Sequence, residues 1–474
     1  MISIQFLMKR VIVIFHFSLF TFHLPAQTVT QKLQKGYTTF EKDSQLKHAI
    51  SSLYVIDAVT GKILFENNSQ VGLAPASTQK IITAATAFGV LGKEYRYKTE
   101  FFYKGQVNDS LLTGEIYIKG NGDPTFGSWR YEETKPNVIN MKFVKALHHQ
   151  KIYLYSGSLI GINDKWQNNT VPDGWIWQDI GNYYGATASA LTWNENQYDM
   201  VLKPAKKQGD SVNLVRTEPK VFYQFINELK SGAKNSGDNG YIYFEPGSSI
   251  NRIRGTVPCC VDSFIISGSV PDGDYFTLSN FANVLNENRF KEDSVPFHLA
   301  VTNQPVTSAA SITFCTHYSP SLDSIIYWLL KKSINLYGEA LVKTLAYEKN
   351  GYGSTDKGIN MVKDFWKQKG IDVNELNLYD GSGLSPLNRV TTHAQVEILK
   401  YARKQNWFKY FYDALPEYNG IKMKSGTISD VKGFCGYHAS KDGREYIFSF
   451  LVNNYSGSSL SLVNKMYKVL DILK

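Results

Sequence analysis

The strongest constraint on the fold is a difference in the pattern of apolar and polar residues between the two ends of this 474-residue chain and its middle. From residue 95 to about residue 301, alternating segments such as 98–103 and 114–119 are separated by Gly, Asn and Asp turns, a pattern typical of β-strands. Helical periodicity of comparable strength is found only outside this block. The sequence therefore predicts a helical and β-containing shell at both ends, with a β-rich insertion of about 200 residues between them.

The ends of the chain contain the clearest individual elements. The N-terminal part predicts a helix over 31–48, a β-hairpin over 53–67 and a helix over 77–92. The C-terminal part predicts helices over 322–346 and 359–369, strands over 421–427, 433–438 and 445–453, and a last helix over 459–473. One face of the last helix is apolar and is expected to pack on the protein's own sheet. The alternative is peripheral contact with a membrane.

Composition excludes several classes of protein. With 43% hydrophobic and 20% charged residues, the chain is not disordered. The 51 basic and 42 acidic residues give a net charge of +9, but no run of five basic residues concentrates it. Nucleic acid is therefore not an expected partner, whereas a mildly basic surface facing an anionic polymer fits equally well.

The first 26 residues resemble a secretory signal peptide rather than mature structure. Lys9 and Arg10 precede the apolar run 11–24, and Ala26 is a small residue at the expected cleavage point. A membrane anchor is the alternative, but the run is shorter than the roughly 20 residues that span a bilayer. The sequence predicts cleavage after Ala26 and export to the periplasm.

Four cysteines are expected to meet an oxidising compartment: Cys259, Cys260, Cys315 and Cys435. Their spacing matches no zinc pattern, and a bridge between the adjacent Cys259 and Cys260 would be strained. Buried, unpaired small side chains are the favoured interpretation, while the disulfide state stays open.

Ser-x-x-Lys places a lysine amine on the same helix face as a serine hydroxyl, where it can remove the hydroxyl proton. Five matches occur in the sequence. Only Ser77, followed by Lys80, stands after a proline-containing loop and at the start of an apolar-periodic helix. The free N–H groups there favour a developing oxyanion. By itself, this motif fits a helix-capping serine equally well.

Two further motifs are weak when taken singly. Residues 333–335, Ser-Ile-Asn, lie in a predicted helix and offer a hydroxyl for proton relay and an amide for a substrate carbonyl. Residues 424–427, Lys-Ser-Gly-Thr, lie on a predicted strand and suit a substrate carboxylate. Gly426 would there allow a substrate backbone to pair closely along the strand. Chance copies of both patterns occur elsewhere in the chain.

Together, the three motifs carry a resemblance. Ser-x-x-Lys, Ser-x-Asn and Lys-[Ser/Thr]-Gly are the signature of penicillin-binding proteins and β-lactamases. Here they begin at residues 77, 333 and 424, with the β-rich block in the long first gap. This order resembles class C low-molecular-mass penicillin-binding proteins, the D-alanyl-D-alanine carboxypeptidase/endopeptidase family. Further segments resemble the same family: 121–125, 174–179, 183–186, 189–196 and 380–385. The departures are Ile334 in the second motif and Ser425 in place of threonine.

The resemblance implies an α+β fold. Its core would be a transpeptidase/β-lactamase-like unit, an antiparallel five-stranded sheet flanked by helices, with two inserted β-rich domains. The implied boundaries are a signal peptide over 1–26, core segments over 27–98 and 297–474, and the insertion over 99–296.

The resemblance also implies the site and its ligands. Ser77 would be the nucleophile, Lys80 the general base and Ser333 the proton relay to the leaving amine. Burial beside cationic Lys424 would depress the pKa of Lys80. Asn335 would hold the substrate amide, and the terminal carboxylate would be bound by Lys424, Ser425 and Thr427. The oxyanion hole would be the N–H groups of Ser77 and Thr427. Peptidoglycan peptides and β-lactams would bind, and no metal or organic cofactor is needed.

Two other readings remain open at this point. A β-lactamase or esterase can be built on the same core, although the β-rich insertion argues against it. A non-catalytic peptidoglycan-binding protein would have lost motif side chains, and here all of them are present. Gly-x-Ser-x-Gly does not occur, which disfavours an α/β-hydrolase. The sequence does not distinguish trimming of terminal D-Ala from cleavage of cross-links, nor does it define an oligomeric state.

Overall fold

The computed structural model describes residues 27–244, 248, 250–291, 297–306 and 311–474. The predicted signal peptide, residues 1–26, lies outside these described residues. Within the described ranges, no helix has the length and apolar character needed to cross a membrane.

The described chain contains both helices and strands, with long runs of consecutive strands over 197–269 and 417–453. The α-helices are α1 (Val29–Glu41), α2 (Lys80–Leu91), α3 (Pro136–His149), α4 (Trp177–Ile180), α5 (Gly273–Glu287), α6 (Leu322–Lys331), α7 (Asn335–Asn350), α8 (Thr355–Gln368), α9 (Thr392–Arg403), α10 (Phe408–Ala414) and α11 (Ser459–Leu470). The first ten strands are β1 (Ile50–Asp57), β2 (Ile63–Asn67), β3 (Lys98–Asn108), β4 (Leu111–Gly120), β5 (Leu154–Ile162), β6 (Gln197–Lys203), β7 (Asn213–Glu218), β8 (Gln224–Asn227), β9 (Lys230–Gly232) and β10 (Asn239–Phe244). The remaining strands are β11 (Ile250–Pro258), β12 (Phe264–Ser269), β13 (His298–Thr302), β14 (Ile312–Tyr318), β15 (Leu376–Asn377), β16 (Arg389–Val390), β17 (Glu417–Tyr418), β18 (Ile421–Ile428), β19 (Val431–Ala439) and β20 (Glu445–Asn453).

An antiparallel sheet built from both ends of the chain forms the core. Its strand order is β17-β18-β19-β20-β1-β2, so the hairpin near the N-terminus pairs directly with the last strand. Five of these strands match the predicted sheet, and the two-residue strand β17 extends it to six. The α+β fold class is thereby confirmed.

Helices cover both faces of this sheet, as the alternation of side chains along β20 shows. Ile447 and Leu451 belong to the apolar cluster that contains α2, α7 and α9. Phe448 and Phe450 point to the opposite face, into the cluster formed with α1 and α11. Burying each such side chain contributes about 1.5–3 kcal/mol, which fixes the register of the central strand.

The C-terminal helix packs on the protein's own sheet, as predicted. Leu462, Met466 and Val469 on α11 are buried in the same cluster as Phe448 and Phe450. This apolar face is therefore covered by the core rather than free for a membrane.

The described part of the inserted segment forms three sheets. They have the strand orders β13-β5-β4-β3-β14, β12-β6-β7 and β10-β11-β8, and β9 also pairs with β11. The expectation that this segment lacks strong helices is wrong. Because β4 and β5 are parallel neighbours, the chain between them must cross over, and α3 provides that crossover. Helices α3 and α5 contribute Phe143 and Phe281 to the apolar cluster on this sheet.

The sheet of the insertion also extends beyond the boundary expected at residue 297. Strand β13 pairs with β5, and β14 pairs with β3, so both belong to the inserted sheet. Backbone pairing therefore returns the chain to the core at α6, later than the sequence predicts.

The helix predicted over 322–346 is interrupted. Helix α6 ends at Lys331 and α7 begins at Asn335, while Ser333 between them has a φ of 60°. A serine in this left-handed region cannot continue a helix. The break separates the two polar residues of the second motif, placing one in the turn and the other at the start of α7.

All four cysteines are free thiols. Cys259, Cys315 and Cys435 are buried, as favoured by the sequence, whereas Cys260 is exposed.

Candidate active site

Ser77 lies in a short 3₁₀ helix, Ala76–Gln79, that leads directly into α2. The helix packs against β18, where a Cβ added to Gly426 would lie 2.5 Å from the Pro75 carbonyl oxygen and 3.0 Å from the Ser77 nitrogen. Gly426 is thus needed for the close approach of the strand to the turn that holds Ser77. This differs from the expected role in pairing with a substrate backbone.

Lys80 is fully buried and its amine has three neighbours. The Nζ atom lies 2.9 Å from Ser77 Oγ, 2.6 Å from Asn335 Oδ1 and 2.7 Å from the Ser382 carbonyl oxygen. A neutral amine has two N–H donors and one lone pair. The two carbonyl-type oxygens can only accept, so they take the two N–H groups and leave the lone pair for the Ser77 hydroxyl.

Burial lowers the pKa of Lys80 to about 7, while the charges of Asp380 and Glu339 act in the opposite direction. The predicted lowering is present, but its main cause is removal from water rather than the neighbouring Lys424. The amine is therefore available as a neutral base near neutral pH.

Lys424 pairs with the hydroxyl of the second motif. Its Nζ lies 2.9 Å from Ser333 Oγ and 2.7 Å from the Ser425 carbonyl oxygen. Burial lowers the pKa of Lys424 well below its ordinary range, and the charge of Lys80 lowers it further. A charge on Lys80 thus disfavours a charge on Lys424 inside the same buried site.

Asn335 connects the base to the inserted segment. Its Oδ1 accepts from Lys80, and its Nδ2 donates to the Tyr184 carbonyl at 2.8 Å. The amide therefore fixes the position of the Lys80 amine in addition to any contact with substrate.

The two hydroxyl groups of the third motif contact different neighbours. Thr427 is exposed and accepts a hydrogen bond from Lys432 Nζ at 2.7 Å. The Ser425 hydroxyl lies 3.4 Å from the hydroxyl of Tyr418. Lys432 was not singled out by its sequence, because its contact with Thr427 depends on the pairing of β18 with β19.

These groups surround a cavity of about 430 Å³. Ser77, Ser333, Asn335 and Thr427 line it directly, whereas Lys80 and Lys424 lie behind them in the protein. The opposite wall comes from the insertion through Asp179, Tyr183, Tyr184 and Tyr241. The segments around residues 179 and 184 resembled the family in sequence, but their position in the cleft had no signal in one chain.

A buried carboxylate that the sequence analysis did not assign shapes the loop over the base. Asp380 accepts from Gln79 Nε2 at 3.1 Å and from Trp175 Nε1 at 3.0 Å. It also accepts from the backbone N–H groups of Gly383 at 2.7 Å and Ser385 at 2.6 Å. This carboxylate therefore holds in place the loop whose Ser382 carbonyl binds Lys80. Trp175 takes part through packing and a hydrogen bond.

Glu339 is a second buried acid near the base. One turn after Asn335 on α7, its carboxylate accepts from the Gly381 N–H at 3.1 Å. Burial raises the pKa of Glu339 to about 7, and the charge of Asp380 raises it as well. Glu339 therefore binds the loop 380–385 from α7, while Asp380 binds it from within.

Among the described residues, no group of three or more His, Cys, Asp or Glu side chains is arranged to hold a metal ion.

Comparison with known proteins places this site in a family. The model of the D-Ala-D-Ala carboxypeptidase 3 (S13) family matches residues 33–417. The chain belongs to this family. Membership of the S13 family makes it a serine D-Ala-D-Ala carboxypeptidase acting on peptidoglycan peptides, and it removes the non-catalytic alternative.

Individual relatives match nearly the whole chain. A D-alanyl-D-alanine carboxypeptidase of Actinomadura sp. is 25% identical over 90% of this chain and 82% of its own length. The crystal structure of penicillin-binding protein 4 from Haemophilus influenzae has the same fold, with a TM-score of 0.78, 18% identity and coverage of 92% of this chain and 99% of that one. A second structure of that protein, complexed with a β-lactam, gives a TM-score of 0.72 at 18% identity, covering 93% and 98%.

Proposed function

We propose that Ser77 attacks the carbonyl carbon of a D-alanyl-D-alanine-type bond and forms an acyl-enzyme. The observation that carries this proposal is the environment of Lys80. Its neutral amine has both N–H groups occupied and its lone pair directed to the Ser77 hydroxyl. As the Ser77 oxygen bonds to carbon, its proton passes to Lys80 Nζ.

The leaving amine also needs a proton. Ser333 is positioned for that transfer, since its hydroxyl lies in the cavity and is hydrogen-bonded to Lys424. The amine of the departing D-alanine takes the Ser333 proton, and Lys424 replaces it. Water then attacks the acyl-enzyme; its proton passes through Ser333 to Lys424, which acylation left neutral, and Lys80 returns its proton to the departing Ser77 oxygen.

The charge that develops on the carbonyl oxygen needs donors. The N–H groups of Ser77 and Thr427 are proposed as the oxyanion hole. The close approach of Gly426 to the Ser77 nitrogen supports this, because it brings the backbone of β18 next to the N–H of the nucleophile.

Substrate recognition is proposed to rest on the third motif. The free C-terminal carboxylate would lie near Lys424, Ser425 and Thr427, with Lys432 as an additional cation. An incoming carboxylate raises the pKa of Lys424, and so supplies the negative charge that this buried amine lacks. Substrate binding would thereby charge Lys424 while Lys80 stays neutral.

Two further properties belong to the proposal. β-Lactams would acylate Ser77, as suggested by the β-lactam complex of the related H. influenzae protein. The protein would be exported by the signal peptide over 1–26 and act in the periplasm, where peptidoglycan is accessible.

The test is incubation with a labelled penicillin, followed by proteolysis and mapping of the adduct. The label is expected on the peptide containing Ser77, and Ser77→Ala should abolish it. An adduct centred on Ser44, Ser231, Ser354 or Ser429, the other Ser-x-x-Lys serines, would overturn the assignment. Product analysis with a free pentapeptide and with a cross-linked dimer then separates carboxypeptidase from endopeptidase activity.

A further inference from the structure

Two adjoining cavities in the inserted segment lie outside the catalytic cleft. The first, of about 390 Å³, lies between residues 219–223 and helix α5. The second, of about 620 Å³, is lined by the N-terminal end of α5 and by the loop that follows β5. Tyr223 and Tyr275 line both cavities. The two cavities therefore form one elongated depression, which we call the α5 groove.

Exposed aromatic rings stand along the α5 groove. Phe222 is 72% exposed and Tyr275 is 50% exposed. Rings left in water at the edge of a cavity are available to stack on a ligand with an apolar face.

Free amide groups accompany these rings. The side chains of Asn168, Asn169 and Asn283 line the groove and have no hydrogen-bond partner among the residues that the structure describes. An amide offers one acceptor and two donors, which suits ligands that carry both hydroxyl and acetamido groups. Aromatic faces next to neutral amides are complementary to the ring faces and edges of a sugar.

The charge of the groove is the opposite of what a polyanion needs. The second cavity is lined by Asp272 and Asp274 and by no Lys or Arg among its described residues. Lys220 is the cation described in the lining of the first cavity. In a chain with a net charge of +9, this lining favours a neutral ligand over nucleic acid or an anionic lipid.

The groove is within reach of the catalytic cavity. On β10, Tyr241 lines the catalytic cavity and Phe244 lines the groove. Three residues along a strand span roughly 10 Å. A stem peptide of five residues extends to at most about 17 Å, so a peptide held at Ser77 can be attached to a sugar held in the groove.

We propose that the α5 groove binds the glycan strand of peptidoglycan, a neutral chain of acetamido sugars, while its stem peptide occupies the catalytic cavity. This inference rests on the proposed function for the identity of the polymer. It gives the insertion a role: the enzyme recognises the polymer by its sugars as well as by the end of its peptide.

The test is co-sedimentation with insoluble chitin, whose uncharged strands of acetamido sugar carry no peptide. Wild-type protein is expected to bind these strands, and Phe222→Ala and Tyr275→Ala are each expected to weaken binding about fivefold or more, the effect of losing one stacked ring. The matched control is Tyr318→Ala, because Tyr318 is 56% exposed on β14 but lies outside the groove. Penicillin acylation at the wild-type rate in all three variants shows that they are folded.

The proposal is overturned if wild-type protein does not sediment with the strands, or if all three variants bind as wild type does. It is also overturned if dextran sulfate competes for the protein and neutral chito-oligosaccharides do not. Hydrolysis of a free pentapeptide is measured in parallel and tests the proposed function by itself. A protein that hydrolyses the peptide but ignores the strands refutes the groove alone.

Discussion

At the scale of single residues, the site is organised by the hydrogen-bonding capacity of one amine. A charged Lys80 would present three N–H donors to Ser77, Asn335 and Ser382, and it could not take a proton from the serine. Burial lowers the pKa of Lys80 and so favours the neutral amine. The contact with the Ser77 hydroxyl is then made by the lone pair of the amine rather than by an N–H group. The cost of burying the amine is offset by the two oxygens that hold it.

Lys80→Arg tests this view of the base. Guanidinium remains protonated at all accessible pH values, so acylation by penicillin should fall by roughly 10²–10⁴-fold. In the wild-type enzyme, the acylation rate should rise as pH increases through about 7 and level off above it, because the neutral amine is the active form. Stopped-flow or labelling measurements between pH 5 and 9 provide both results. A rate independent of pH across this range would assign the base to another group.

Lys424→Ala tests whether Lys424 binds the free C-terminal carboxylate of the substrate. Losing a charge-assisted hydrogen bond costs about 1.5–3 kcal/mol, or roughly ten- to over a hundredfold in kcat/KM. Peptides ending in free D-Ala-D-Ala should lose this factor, whereas a C-terminally amidated peptide should be a poor wild-type substrate and lose much less.

The comparison matters because Lys424 also contacts Ser333. If the two peptides lose activity equally, Lys424 serves proton transfer alone and carboxylate recognition is refuted.

At the scale of elements, a strand and a turn lie unusually close together at the candidate site. The backbone of β18 approaches the 3₁₀ helix of Ser77 so closely that no side chain fits at position 426. The break between α6 and α7 acts similarly, because it turns Ser333 out of a helix and toward Lys424. Both features depend on backbone geometry that cannot be predicted from the residue types of the motifs.

Gly426→Ala should therefore uncouple the strand from the nucleophile. The added methyl would press on the Pro75 carbonyl and the Ser77 nitrogen, so acylation should fall by at least about tenfold, as expected when reacting groups shift by a fraction of an ångström. Gly72→Ala is the control, because its new Cβ would meet its nearest neighbour at an ordinary 3.4 Å. Equal acylation rates in the two variants, measured with penicillin at matched thermal stability, would contradict this role.

At the scale of the whole molecule, buried acids couple stability to pH. Burial raises the pKa of Asp274 to about 7 in the folded protein, from an ordinary value near 4. The folded state thus prefers the protonated acid. The associated stability is present below about pH 4 and is lost as pH rises through 7.

Asp274→Asn mimics the protonated acid and should raise Tm more at pH 8 than at pH 5. The Oδ1 atom of Asn163 has no partner in the described part of the chain. If the amide of Asn163 rotates by half a turn, this oxygen can accept from the new amide at position 274. Calorimetry at the two pH values measures the effect, with the exposed Asp262→Asn as control. A Tm difference that is the same at both pH values would refute the coupling.

The sequence was sufficient to predict the site where its residues are close together along the chain. It predicted that the side chains of Ser77 and Lys80 meet because one helical turn joins them, and it identified the family from three motifs in order. It missed α3 and α5 because their apolar faces are short and lie among strands. It missed Asp380 and Glu339 because a buried acid is recognisable only once the loop that it holds has been located.

The core sheet is closed by strands from the two ends of the chain, with β1 paired to β20. Ser77, the proposed nucleophile, is therefore translated early, while Lys424 and the strand β20 that completes the sheet are translated late. At about 5–20 residues per second, tens of seconds separate the two events. Until then, the insertion can fold and shorten the loop that must be closed, but no partial chain contains an assembled site. A hydrolase of the cell wall arranged in this way stays inert through its own synthesis and becomes active only as a finished polypeptide.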